Sequence, residues 1–143
     1  MTYIDYSQLI DIYEQVINIS GGGGASGILN KGAIQGILQQ VKNDCYYPNI
    51  EDKLTYYFYS FNRNHCFQDG NKRIAIAVGI HFLNINGYLY AINRFINETE
   101  NISIYLAAGK ISKELLEEMI FSILYEEDFS EELKIKYYNA ISK

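Results

Sequence analysis

The chain has 143 residues, a length that suits one domain spanning 1–143 and able to bury about two thirds of its unfolded surface. Apolar residues make up 48% and charged residues 20%, as in ordinary soluble globular proteins, while a net charge of −5 argues against a general nucleic-acid binder with its basic surface. Two cysteines, Cys45 and Cys66, are too few for a disulfide framework, and no apolar run approaches the roughly 20 residues of a membrane span, so a reduced cytoplasmic setting is expected.

Helical periodicity dominates in chain order. Over 6–19, Leu9, Ile10, Tyr13, Val16 and Ile17 fall at helical spacings, with Asp11, Glu14 and Gln15 opposite them. Residues 1–20 mix Asp5, Gln8, Asp11 and Glu14 among their apolar residues and lack the basic-then-apolar pattern of a signal peptide. The glycines at 21–24 predict the end of this helix and a flexible joint. A second helix is expected from Lys31, capped by Asn30, with Ile34, Ile37, Leu38 and Val41 on one face. Pro48 marks a loop, and 51–62 reads as a third helix with a stripe of Leu54, Tyr57, Phe58 and Phe61. The fourth helix, 71–86, is apolar around much of its circumference, so it is expected to be the buried central one, ended by Gly87. Residues 88–92 read as a short extended link. Three further helices are expected over 98–108, 112–125 and 130–141, the last two capped by Ser112 and Ser130. The fold class is therefore all-α, a helical bundle around the fourth helix.

The densest chemistry lies between the third and fourth helices, where 65–73 reads His-Cys-Phe-Gln-Asp-Gly-Asn-Lys-Arg. Imidazole exchanges protons near neutral pH, so His65 can serve as a general base. Asp69 can hold a hard cation or simply cap the following helix. Gly70 and Asn71 permit a tight turn that aims backbone N–H groups at an anion. Lys72 and Arg73 then place two cations at a helix N-terminus, where they oppose the dipole unless an anion joins them. Phe67 reads as the apolar anchor of the loop, His81 as structural. Arg63 is either a further phosphate contact or a surface ion-pair partner. A base, a metal ligand and a phosphate cradle in one loop argue for transfer from a nucleotide to a hydroxyl group.

This motif resembles that of the Fic/Doc superfamily, whose AMP-transferases read His-Pro-Phe-x-(Asp/Glu)-Gly-Asn-Gly-Arg. Lys72 stands where those have the second Gly, as in the death-on-curing (Doc) branch. The likeness extends to Gly27-Ile28-Leu29-Asn30-Lys31-Gly32 upstream, and to 82–88 and 107–111 downstream. It implies a compact Fic/Doc-like bundle with Asp69 binding Mg²⁺ that bridges the phosphates of ATP or another NTP. It further implies nucleotide contacts from Gly70, Asn71, Lys72 and Arg73, and a flap at Gly27, Ile28, Leu29 and Asn30 that docks the target by backbone pairing. In the Fic pattern a small glycine leaves room for a phosphate at the turn. Lys72 fills that room, and the resemblance then implies reversed nucleotide and transfer of the γ-phosphoryl group.

Two departures are visible, Cys66 in the place of the usual Pro and Leu29 where Arg is common. The inhibitory motif (Ser/Thr)-x-x-x-Glu-(Gly/Asn) of some Fic proteins is incomplete here, since Ile96 precedes Glu100-Asn101. The resemblance instead implies a separate antitoxin whose disordered tail folds into an apolar groove, with the helices after Tyr88 as the expected place for it. Its implied substrate is a Ser or Thr hydroxyl of a bacterial protein, a translation elongation factor, so that translation stops. Two other readings stand beside the toxin kinase: a Fic-like AMP or nucleotidyl transferase, and a catalytically silent bundle that binds an antitoxin.

Overall fold

Apolar spacing and side-chain caps produce seven α-helices and no strand among the described residues of the computed structural model, 1–20 and 27–143. They are α1 (Tyr6–Ser20), α2 (Lys31–Gln40), α3 (Ile50–Arg63), α4 (Asn71–Ile85), α5 (Leu89–Ala107), α6 (Lys113–Tyr125) and α7 (Glu131–Ile141). Asp5 and Gln8 cap α1 reciprocally, each side chain accepting from the other's backbone N–H. Asn30, Ser112 and Ser130 accept from the first turns of α2, α6 and α7, as expected from their sequence positions. The expected glycine joint at 21–24 lies outside the described residues.

One expectation is corrected. Residues 88–92 are not an extended link, because α5 begins at Leu89 and continues unbroken through the helix expected only from 98. Its buried residues Ala91, Phe95, Thr99, Ile102 and Leu106 recur at helical spacing and cover α3 and α4. Burying that stripe outweighs the strand preference of the tyrosine- and isoleucine-rich start.

The core centres on the α3–α4 pair. Leu54, Tyr57, Phe58 and Phe61 of α3 face Ile74, Ala75, Val78, Phe82 and Leu83 of α4, all of them buried. Tyr57 meets Phe82 edge-on at 4.9 Å, and Phe58 meets Phe95 of α5 in the same way at 6.0 Å. Gly79 is what lets α5 come this close, since a side-chain carbon there would run into the Phe95 ring. The buried Lys53 ties α3 to the preceding loop, its Nζ donating to Val41 O at 2.9 Å and Asp44 Oδ1 at 2.8 Å. Burial opposes its charge, but Asp44 and Tyr3 outweigh that and hold the ammonium above its ordinary pKa.

With α5 and α6 packed on α3, and α1 packed on α4, the link between α3 and α4 is held from both sides. An apolar groove of about 310 Å³ runs between α1, α4 and the start of α5, lined by Ile12, Val16, Ile19, Ile80, His81 and Ile92. It therefore draws on α1 and α4 as well as on the first turn of the helix after Tyr88.

Candidate active site

The α3–α4 link is built by its backbone. Asn64 closes α3 by donating N–H to Ser60 O at 3.0 Å, and His65 follows with φ of 48°, exposed to solvent. It has the only positive φ among the described non-glycine residues. A left-handed residue there turns the chain sharply off the helix, a conformation histidine tolerates better than most. Cys66 then points inward, fully buried, and its carbonyl accepts from Leu29 N at 2.9 Å and Asn30 N at 3.2 Å. Gln68 N donates to Gly27 O at 2.6 Å, so Ile28 and Phe67 face each other in a single antiparallel bridge. The segment 27–30 and the motif loop thus form one paired unit.

Side chains lock that unit. Phe67 is buried, stacked on Tyr13 of α1 with centroids 4.8 Å apart and an interplanar angle of 13°, and it also meets Phe61 at 6.5 Å. Asn71 clamps the same residue from the other side: its Oδ1 accepts from Phe67 N at 3.2 Å and its Nδ2 donates to Phe67 O at 2.8 Å. The Asn71 side chain therefore holds the loop rather than facing solvent freely. Burial pushes the Cys66 thiol up, the opposite of what a nucleophilic cysteine needs.

The first turn of α4 opens on Gly70, at φ 80°, which brings no side-chain cap. At α2, α6 and α7 a side chain occupies that place. An uncapped first turn offers its N–H groups to an external anion. Asp69 Oδ1 accepts from Gly70 N at 2.8 Å, and its Oδ2 lies 3.8 Å from Arg73 Nη2. Asp69, Lys72 and Arg73 are all exposed, so carboxylate and both cations can reach a ligand. Beside Asp69 opens a cavity of about 380 Å³ lined by Tyr13, Ile17, Gly27 and Gln68.

This donor set suits Mg²⁺ carried by a nucleotide. Among the described residues no three His, Cys, Asp or Glu come together. A cation at Asp69 would take its remaining ligands from phosphate oxygens and water, as Mg²⁺ characteristically does.

Other expected residues fall elsewhere. Arg63 Nη1 donates to Leu106 O at 2.8 Å, so this guanidinium is engaged at the C-terminal end of α5. His81 lies on the groove between α1, α4 and α5, with its Nε2 buried and lacking a hydrogen-bond partner. In the expected flap, 27–30, Leu29 is 61% exposed while Ile28 is half-buried. Tyr13 is the participant that sequence reasoning missed as a site residue. It sits in an ordinary helical stripe, and only the tertiary stack on Phe67 marks it.

The family model described as Fic/DOC family matches residues 3–83, which takes in α1 through most of α4 and the whole motif loop. Over 115 residues the chain is 30% identical to a protein of Escherichia phage P1 named protein kinase doc, covering 78% of this chain and 87% of that one. It is 39% identical over 56 residues to a protein of Mycolicibacterium smegmatis named toxin Doc, covering 39% of this chain and 43% of that one.

Proposed function

This chain belongs to the Fic/DOC family, and we propose that it is a Doc-type toxin kinase, moving the γ-phosphoryl group of ATP or another NTP onto a Ser or Thr hydroxyl of a bacterial protein. The observation that carries this reading is Lys72 on the glycine-opened first turn of α4, close in the chain to the exposed carboxylate of Asp69. The names of the two relatives, toxin Doc and protein kinase doc, support it.

His65 takes the proton of the incoming hydroxyl as its oxygen bonds to phosphorus and the bond to the leaving nucleoside diphosphate breaks. Lys72, Arg73 and the free N–H groups of α4 hold the phosphate oxygens where negative charge gathers. Asp69 would hold Mg²⁺, which supplies further charge neutralisation when bound. Asn71 and Phe67 keep the loop in register beneath His65. The paired flap presents the target segment next to the histidine. The target is a translation elongation factor, so its modification arrests translation. A separate antitoxin lays an apolar segment into the groove between α1, α4 and α5, where Ile19 is 88% exposed.

The test is incubation of the purified protein with a bacterial lysate and labelled ATP. Label from the γ position on a protein supports the kinase, and label from the α position would replace it with nucleotidyl transfer. Absence of both labels, with a partner still bound, would leave only a binding protein. Lys72→Gly is expected to lower γ-transfer by about tenfold or more, since it removes one charge from the phosphate cradle.

A further inference from the structure

Tyr13 lies more than fifty positions from the motif, yet it touches both sides of the paired loop. Its ring stacks on Phe67. Its hydroxyl lies against the flap: a side-chain carbon at Gly27 would overlap the Tyr13 oxygen and come within 3.3 Å of Cζ. The flap backbone therefore rests on the phenol, and no residue larger than glycine fits while the hydroxyl is there. From that seat the contact passes to the loop through Gln68 N to Gly27 O at 2.6 Å and Leu29 N to Cys66 O at 2.9 Å. Cys66 adjoins His65, and the cavity beside Asp69 has both Tyr13 and Gly27 in its wall.

We propose that Tyr13 and Gly27 form a matched positioning pair. The hydroxyl is a spacer that sets how far the flap stands from α1. Through the two backbone bonds, that spacing sets the placement of His65 and the width of the cavity next to Asp69. Neither residue touches the reacting atoms. The kinetic part of this proposal rests on the phosphotransfer reading; the structural part does not.

The test exchanges the hydroxyl for a methyl group across the contact. Gly27→Ala, Tyr13→Phe and the double variant are compared with the wild type by amide hydrogen exchange at Gln68 and Leu29, and by initial rates of γ-transfer. Gly27→Ala forces the flap outward, so Gln68 N–H is expected to exchange about tenfold faster, with kcat about tenfold lower and KM for ATP nearly unchanged. In the double variant the alanine methyl takes the space the hydroxyl left, a volume-conserving swap, and both measures return to within about threefold of Tyr13→Phe alone. Exchange of Ile74 N–H, which bonds Gly70 O at 2.8 Å, reports whether α4 is intact in each protein.

Simple multiplication of the two single effects would overturn the pair, as would unchanged exchange at Gln68 in Gly27→Ala. If Gly27→Ala does not fold, the double variant must fold, and its failure would count against the proposal. Should no variant transfer phosphate, the exchange results still decide the pair, so its failure and that of the kinase reading are told apart.

Discussion

His65 is held in a backbone conformation that costs a side-chain-bearing residue about 1 kcal/mol or more, while glycine adopts it freely. Two substitutions that remove the imidazole should therefore part company in stability. His65→Gly is expected to unfold at higher urea than His65→Ala, by about 1 kcal/mol, while both lose about a hundredfold or more in transfer. A surface histidine with no catalytic part would show the stability difference without the loss of rate. A second residue-scale effect concerns alkaline pH. Burial pushes the Tyr57 hydroxyl up to about 12, against a smaller opposing contribution from the Ile4 backbone. The folded state thus keeps a proton that the unfolded chain releases near pH 10. The stability linked to this group is fully present below about pH 10 and is lost as pH climbs toward 12. Burial of Cys66 acts with the same sign from about pH 9 upward. Urea midpoints measured from pH 8 upward are expected to decline through this window, and Tyr57→Phe should make the decline shallower.

Among the elements, α4 and α5 approach closely at Gly79, which makes their contact easy to probe. Gly79→Ala would drive a methyl group into the Phe95 ring, and overpacking of this kind costs about 1–3 kcal/mol. Thermal unfolding should register that loss, and Phe95→Leu in the same chain should recover part of it. α1, α3 and α4 were legible in the sequence from their apolar spacing, and α2, α6 and α7 from spacing and caps that agree. The start of α5 was not, since Tyr88, Tyr90 and Ile92 favour strands locally and only α4 beneath them decides the matter. The site divides in the same way. Its chemical groups were readable from 65–73, because base, carboxylate and cations are neighbours in the chain. The orientation of those groups was not. Arg63 turns to Leu106, Asn71 folds back on Phe67, and Tyr13 arrives from α1, each through a contact that no local pattern encodes.

For the whole molecule, charge is distributed unevenly. Glu51, Asp52, Glu117, Glu118, Glu126 and Glu132 line one cavity between α3, α6 and α7. They are six of the chain's 17 acidic residues, so the remaining eleven nearly match its 12 lysines and arginines. Among the described residues, Lys136 pairs with Glu118 at 2.9 Å and Glu132 at 4.0 Å there. Crowded like charges repel, and salt screens them. Added sodium chloride is therefore expected to raise the Tm from its low-salt value, and Glu117→Gln should raise the low-salt Tm while shrinking the salt effect. The order of synthesis has a consequence of its own. The motif loop leaves the ribosome well before α5 and α6, the two helices packed on α3. A newborn chain thus holds every polar side chain of the motif before the scaffold around it exists, and the loop is braced only once residues far downstream have folded.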